Sequence, residues 1–153
     1  MGDAETDSLN PADVRRSAMN LLARREHSRR ELHDKLLTRY PSASGVISHE
    51  IDRLTEENLQ SDERFAESFV RQRILRGAGP RRLRQEMSQR GISESELARA
   101  LEATAPDWYQ LAEQTYAKKF GETQPTDVKE KARRVRFMEY RGFSREHYEH
   151  LFD

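Results

Sequence analysis

G-P-R-R-L-R-Q-E-M-S-Q-R-G-I-S, residues 79–93, spells one helix with its own start and stop. Gly79-Pro80 opens it, because the N–H that proline lacks is one the first turn leaves unbonded anyway. Leu83 and Met87 stand four apart and share one side, and Gly91 offers the left-handed residue that ends a helix. Ser93-x-x-Glu96 then has the capping-box form and starts another helix almost at once. The last four letters return at 141–144 as R-G-F-S, 51 residues further on.

That shift is a period. It sets Ser17 on Ser68, Arg25 on Arg76, Arg30 on Arg81, Leu32 on Leu83 and Leu36 on Met87. A second step sets Met87 on Met138, and upstream Val14, Phe65 and Tyr116 align, as do Ala18, Phe69 and Phe120. Helix punctuation agrees: Asn10-Pro11, Ser28-x-x-Glu31, Ser61, Asp107, Thr126 and Ser144 read as starts, and Gly77, Gly121 and Gly142 as stops. No segment alternates like a strand. The expectation is an all-α protein, an elongated array of three tandem three-helix repeats. Its nine helices fall at 11–25, 28–39, 44–58, 61–76, 80–90, 93–103, 107–120, 126–141 and 144–152. The repeats span 11–59, 61–105 and 106–153, behind an acidic tail at 1–10 that is expected to be disordered. A unit of about 50 residues is marginal alone, so neighbours are expected to share apolar surface.

Composition fits a thin-cored array. Of 153 residues, 35% are charged and 35% hydrophobic, and Leu, Ile, Val and Phe total 29, about 19%. One large core is excluded for lack of apolar volume. Self-repelling disorder is excluded because 27 basic and 27 acidic residues cancel. The absence of cysteine removes disulfides and thiolate metal sites. No apolar run approaches the roughly 20 residues of a membrane span, and the acidic N-terminus lacks a signal peptide's apolar region, so a cytoplasmic protein is expected.

Resolved along the chain, the zero net charge becomes blocks: −4 over 1–14, +5 over 15–39, −5 over 43–67, +6 over 71–90, −4 over 93–113, +5 over 118–145 and −3 over 146–153. Of the 27 basic residues 22 are arginine, whose planar fork suits phosphate and carboxylate. The contact candidates are Arg24, Arg25, Arg29, Arg30 and Lys35; then Arg76, Arg81, Arg82 and Arg84; then Lys129, Lys131, Arg133, Arg134 and Arg136. On a wheel, Arg81, Arg82 and Arg84 lie roughly 80–140° from the Leu83/Met87 side, available to a polyanion. Arg39, Arg90 and Arg141 each close a helix, where a cation favours the carboxyl end, and read as structural. Phe65, Phe69, Tyr116 and Phe120 read as core, leaving Trp108, Tyr109 and Tyr140 as candidates for stacking.

Catalysis has little support. His147 and His150 lie one turn apart, but no third or fourth metal ligand is evident, and Glu56-Glu57 is an ordinary pair among many acids. No phosphate loop, dinucleotide fingerprint, nucleophile elbow or zinc-protease string occurs. No enzyme activity and no cofactor are expected. From charge and period alone, a DNA-binding regulator and a protein-binding scaffold both stay open.

Four strings carry a resemblance: L-A-R-R-E-H-S-R-R-E-L-H-D-K-L (Leu22 to Leu36), N-L-Q-S-D-E-R-F-A (Asn58 to Ala66), G-P-R-R-L-R-Q-E-M-S-Q-R-G-I (Gly79 to Ile92) and K-A-R-R-V-R-F-M-E-Y-R-G-F (Lys131 to Phe143). They resemble the RecX regulatory proteins from about residue 14 to the end. The resemblance implies a bacterial, cytoplasmic, non-enzymatic protein of tandem three-helix repeats, and a repeat array that can cap itself is expected to work as a monomer. It implies binding to the RecA recombinase and its filament on single-stranded DNA, with restraint of strand exchange, ATP hydrolysis and co-protease activity. Direct contact with single-stranded DNA is a further expectation. Met87 and Met138 stand where the family often has Leu, and Tyr140 where it is often basic.

Overall fold

Asn10 accepts a hydrogen bond from the Ala12 N–H at 3.0 Å, and Pro11 follows it, so the first helix begins where its unbonded donors are best satisfied. The computed structural model describes residues 9–153. Within them lie nine α-helices and no strand: α1 Pro11–Arg24, α2 Arg29–Arg39, α3 Ser44–Glu56, α4 Asp62–Leu75, α5 Pro80–Gln89, α6 Glu94–Thr104, α7 Trp108–Phe120, α8 Val128–Tyr140 and α9 Arg145–Tyr148, which runs into a 3-10 turn at Glu149–Phe152. The tail expected at 1–10 falls, for residues 1–8, outside the described residues. Leu9 packs against the first core.

The capping boxes form as the sequence implies. Ser28 Oγ accepts the Glu31 N–H at 3.1 Å while Glu31 accepts the Ser28 N–H at 3.1 Å. Ser93 and Glu96 repeat the arrangement at 3.1 and 3.0 Å. The start expected at Thr126 shifts by one residue, because Asp127 accepts the Glu130 N–H at 2.8 Å and so caps α8.

Contacts divide the chain into two compact units: the chain up to Ala66 with Arg90–Ile92, and Glu67–Gln89 with Ser93–Asp153. In the first, α1, α2 and α3 close over Val14, Ala18, Leu32, Leu36, Ala43, Ile47, Ile51 and Leu54. A buried polar joint fixes the start of α2. Gln60 donates to the His27 carbonyl at 3.2 Å and to Asp62 at 2.9 Å, Thr55 donates to Gln60 Oε1 at 2.7 Å, and Asp62 accepts the Arg29 N–H at 2.9 Å. With every group satisfied, this network gives one defined geometry to an otherwise thin core.

His27 belongs to that joint and is buried, its Nδ1 3.1 Å from the Arg25 carbonyl and its Nε2 3.0 Å from Lys35 Nζ. With Lys35 donating, Nε2 must accept, which requires the neutral imidazole with its proton on Nδ1. Burial, with the nearby Arg25 and Lys35 charges, holds the His27 pKa below its ordinary 6.5. Unfolded His27 therefore takes up a proton that folded His27 refuses. The stability it contributes is complete above pH 6.5 and is lost as pH falls through the lower folded pKa. Urea denaturation at a series of pH values is expected to show a fall in stability below pH 6.5 that is shallower in His27→Gln. Equal slopes would remove His27 from this account.

In the second unit Val70, Leu83, Met87, Leu97 and Ala100 are buried on α4, α5 and α6. The last bundle closes over Ala112, Tyr116, Met138, Phe143 and Tyr148. A backbone joint links α5 to the end of α8: the Gly79 N–H donates to the Arg141 carbonyl at 2.7 Å, and the Arg81 N–H to the Gly142 carbonyl at 3.0 Å. R-G-F-S is therefore both a helix stop and a docking strap for the start of α5.

Candidate nucleic-acid interface

The expected contact cations separate into engaged and available groups. At the end of α1 and start of α2, Arg25 pairs with Glu31 through two hydrogen bonds of 3.2 and 3.1 Å. Burial pushes the Glu31 carboxyl up, but the Arg25 and Ser28 hydrogen bonds outweigh it and hold its pKa below the ordinary value. Arg29 is tied to Asp52 and Thr55, and Lys35 donates to His27; burial lowers the Lys35 pKa, with Arg25 adding repulsion. Arg24 and Arg30 are exposed and have no carboxylate partner among the described residues.

Just past α4 and on α5, Arg76 and Arg81 are exposed, again with no carboxylate partner among the described residues. Arg84 is exposed but pairs with Glu94 at 3.3 Å. Arg82 pairs with Glu86 at 3.1 Å and lies over the Tyr140 ring, 5.1 Å from its centroid. Arg73, which is not among the expected contact cations, meets the other oxygen of Glu86 at 2.8 Å. One carboxylate thus holds two guanidinium groups in place.

On α8, Lys129, Lys131, Arg133 and Arg136 are exposed, with Arg133 bonded to Glu130 at 2.9 and 2.7 Å and Lys131 Nζ over Phe152. The paired Arg133 and Arg134 guanidiniums pull the Glu130 carboxyl down to about 2. Arg134 departs from expectation. Its side chain is only 8% exposed, and it donates to Tyr116 Oη at 2.8 Å, to Glu130 at 3.0 Å and to the Thr123 carbonyl, with Phe120 beneath it. Arg134 holds the last bundle together and offers nothing to a ligand. The tyrosine bond is the main reason its pKa is raised.

The 51-residue period carried the signal. Leu32, Leu83 and Arg134 are one repeat position, and the first two are buried core. In the last repeat a guanidinium replaces the apolar side chain, and Tyr116, where the aligned residues are Val14 and Phe65, supplies the hydroxyl that accepts it. Arg134→Leu is expected to lower the melting temperature by stranding the Tyr116 hydroxyl, and Tyr116→Phe in the same chain to restore part of the loss. Strictly additive losses in a double-mutant cycle would show that the two side chains do not act together.

Two of the three helix-end cations reach residues remote in sequence. Arg141 Nη1 donates to the Arg76 carbonyl at 2.7 Å, just past the end of α4, and its guanidinium lies over Phe137. Arg90 pairs with Glu31 at 3.5 Å, and Arg39 lies over the Tyr40 ring. Of the histidines, His147 bonds Ser144 at 2.9 Å, while His150 bonds Glu113 at 3.0 Å and stacks on Tyr109. Among the described residues no group of three or more His, Cys, Asp or Glu could hold a metal ion, and no helix is long and apolar enough to cross a membrane. Among the stacking candidates, Trp108 packs on the last core and Tyr109 is occupied by His150, whereas Tyr140 is 72% exposed.

Three family models match successive parts of the chain: the first three-helix domain of RecX at residues 15–54, the second at 61–101 and the third at 106–147. The regulatory protein RecX of Ectopseudomonas mendocina is 44% identical over 135 residues, 88% of this chain and 89% of the relative. That of Pseudomonas fluorescens strain SBW25 is 47% identical over 133 residues, 87% of this chain and 85% of the relative. The crystal structure of RecX from Lactobacillus salivarius shares the fold, with a TM-score of 0.67 at 23% identity, covering 92% of this chain and 93% of that one. With three family domains in tandem and relatives this similar over most of its length, the chain belongs to the RecX family of regulatory proteins.

Proposed function

We propose that this protein binds the RecA recombinase and its filament on single-stranded DNA, and restrains strand exchange, ATP hydrolysis and co-protease activity. The observation that carries the reading is the family match across all three repeats. The charge distribution supports it: Arg30 and Arg81, one period apart, are exposed on second helices of successive repeats and have no carboxylate partner among the described residues. Such contacts, weak singly, add through effective concentration when they lie on one chain and meet a repeating polyanion. The protein acts by occupying the filament, blocking its growth or promoting its loss, as a cytoplasmic monomer without chemistry of its own.

Co-sedimentation with preassembled RecA–single-stranded DNA filaments tests this. The protein is expected to pellet with filaments at concentrations where the same DNA alone retains much less of it. Equal retention by bare DNA would instead support a free-standing DNA-binding regulator. Retention by neither would refute the proposal.

A further inference from the structure

Lys129, Arg133, Arg136 and Tyr140 occupy positions i, i+4, i+7 and i+11 of α8, so at 100° per residue they fall within about 60° of one another. All four are exposed. The row runs for about 16 Å along the helix at 1.5 Å per residue. No acid stands within it. Glu130, beside the row, pairs with Arg133 and with Arg134, so Lys129 and Arg136 are the row's cations with no carboxylate partner among the described residues.

At its Tyr140 end the row meets a cleft of about 350 Å³, bordered by Arg73, Arg76, Arg82, Glu86, Tyr140 and Arg141. Glu86 anchors Arg73 and Arg82, and the Arg76 carbonyl anchors Arg141, which leaves the Arg76 side chain with no carboxylate partner among the described residues. Tyr140 puts a flat ring at the mouth, with the Arg82 guanidinium over it. A cation row ending in an aromatic ring beside a free guanidinium suits a ligand with a negative backbone and flat faces.

We infer that this cleft seats one unpaired nucleotide of a single strand, its base stacked on Tyr140 and Arg82 and its phosphate on Arg76, with the strand continuing over Arg136, Arg133 and Lys129. A duplex buries its base faces against one another and offers Tyr140 nothing to stack on. A purely acidic peptide would match the cations and leave the ring unused. The inference rests on the reading above for its choice of polyanion, and it adds direct strand contact without the recombinase.

The test uses the full chain and fluorescence anisotropy without RecA. The probes are a labelled oligothymidylate of about 16 nucleotides, an abasic oligomer of the same length, and a duplex. Tyr140→Ala is expected to weaken oligothymidylate binding about tenfold and leave abasic binding unchanged, and Tyr140→Phe to bind like the natural chain. Arg76→Gln with Arg136→Gln is expected to weaken both single strands and flatten the salt dependence. Because Tyr140 is 72% exposed, its loss leaves the fold intact, which circular dichroism checks. Unchanged binding by Tyr140→Ala, equal losses on the two single strands, or a preference for duplex would each overturn the cleft. Those failures leave inhibition of RecA untouched, and a failure to inhibit RecA with strand binding intact would count against the proposed function alone.

Discussion

Gly79→Ala is expected to cost roughly 3 kcal/mol or more, among the largest effects a single methyl group can have. A Cβ at Gly79 would lie 2.4 Å from the Gly142 carbonyl carbon, 2.6 Å from its oxygen and 2.6 Å from the Phe143 nitrogen. These are backbone atoms with no side chain to swing aside. They are also held in place by the hydrogen bonds Gly79 and Arg81 donate to Arg141 and Gly142. The opposite face of the joint is as tight: Gly142 has φ +97°, and its own Cβ would meet the Arg82 nitrogen and Cβ at 2.5 Å. Gly45→Ala is the control. It lies in the first turn of α3 with nothing within 4 Å, so alanine there is expected to be neutral or to stabilise by up to about 1 kcal/mol. Urea denaturation of both chains measures the contrast, and equal stabilities would mean that the strap is not closed as described.

The second large effect is on binding. Reversing Arg81, Arg82 and Arg84 to glutamate is expected to weaken filament binding by about two orders of magnitude while helicity persists. Arg81 and Arg84 are exposed, so their reversal alone, which spares the Arg82 pair with Glu86, is expected to give most of the loss. Arg39→Glu makes the same reversal per residue at an exposed helix end and is expected to matter little. Full inhibition of strand exchange by the folded triple variant would remove this cluster from the interface.

Much of the fold was legible because its signals are local. Pro11, the Ser28/Glu31 and Ser93/Glu96 boxes, and apolar pairs such as Leu83/Met87 specify helices without knowledge of what packs on them. The site was less legible because a guanidinium's fate depends on residues remote in sequence. Arg29 is claimed by Asp52 and Arg64 by Glu26, separations that no helical wheel contains. Arg134 was within reach, since its period mates Leu32 and Leu83 are core, but local charge placed it among Arg133 and Arg136. Asn58, Gln60 and Asp62 were visible as a string, yet their work differs at each position. Asn58 ends a turn at φ +61°, Gln60 fills a buried joint and Asp62 caps a helix from another repeat. Tyr140 was legible as an exposed ring, but the cleft beside it exists only because R-G-F-S straps α8 to α5.

Restraint of RecA by this chain is read out in ATP hydrolysis by RecA on single-stranded DNA. The chain is titrated into that reaction, and its binding to DNA alone is measured beside it. A progressive fall in hydrolysis is expected at protein ratios below one per RecA monomer, at concentrations where bare DNA is largely unoccupied. Unchanged hydrolysis at equimolar protein would contradict it.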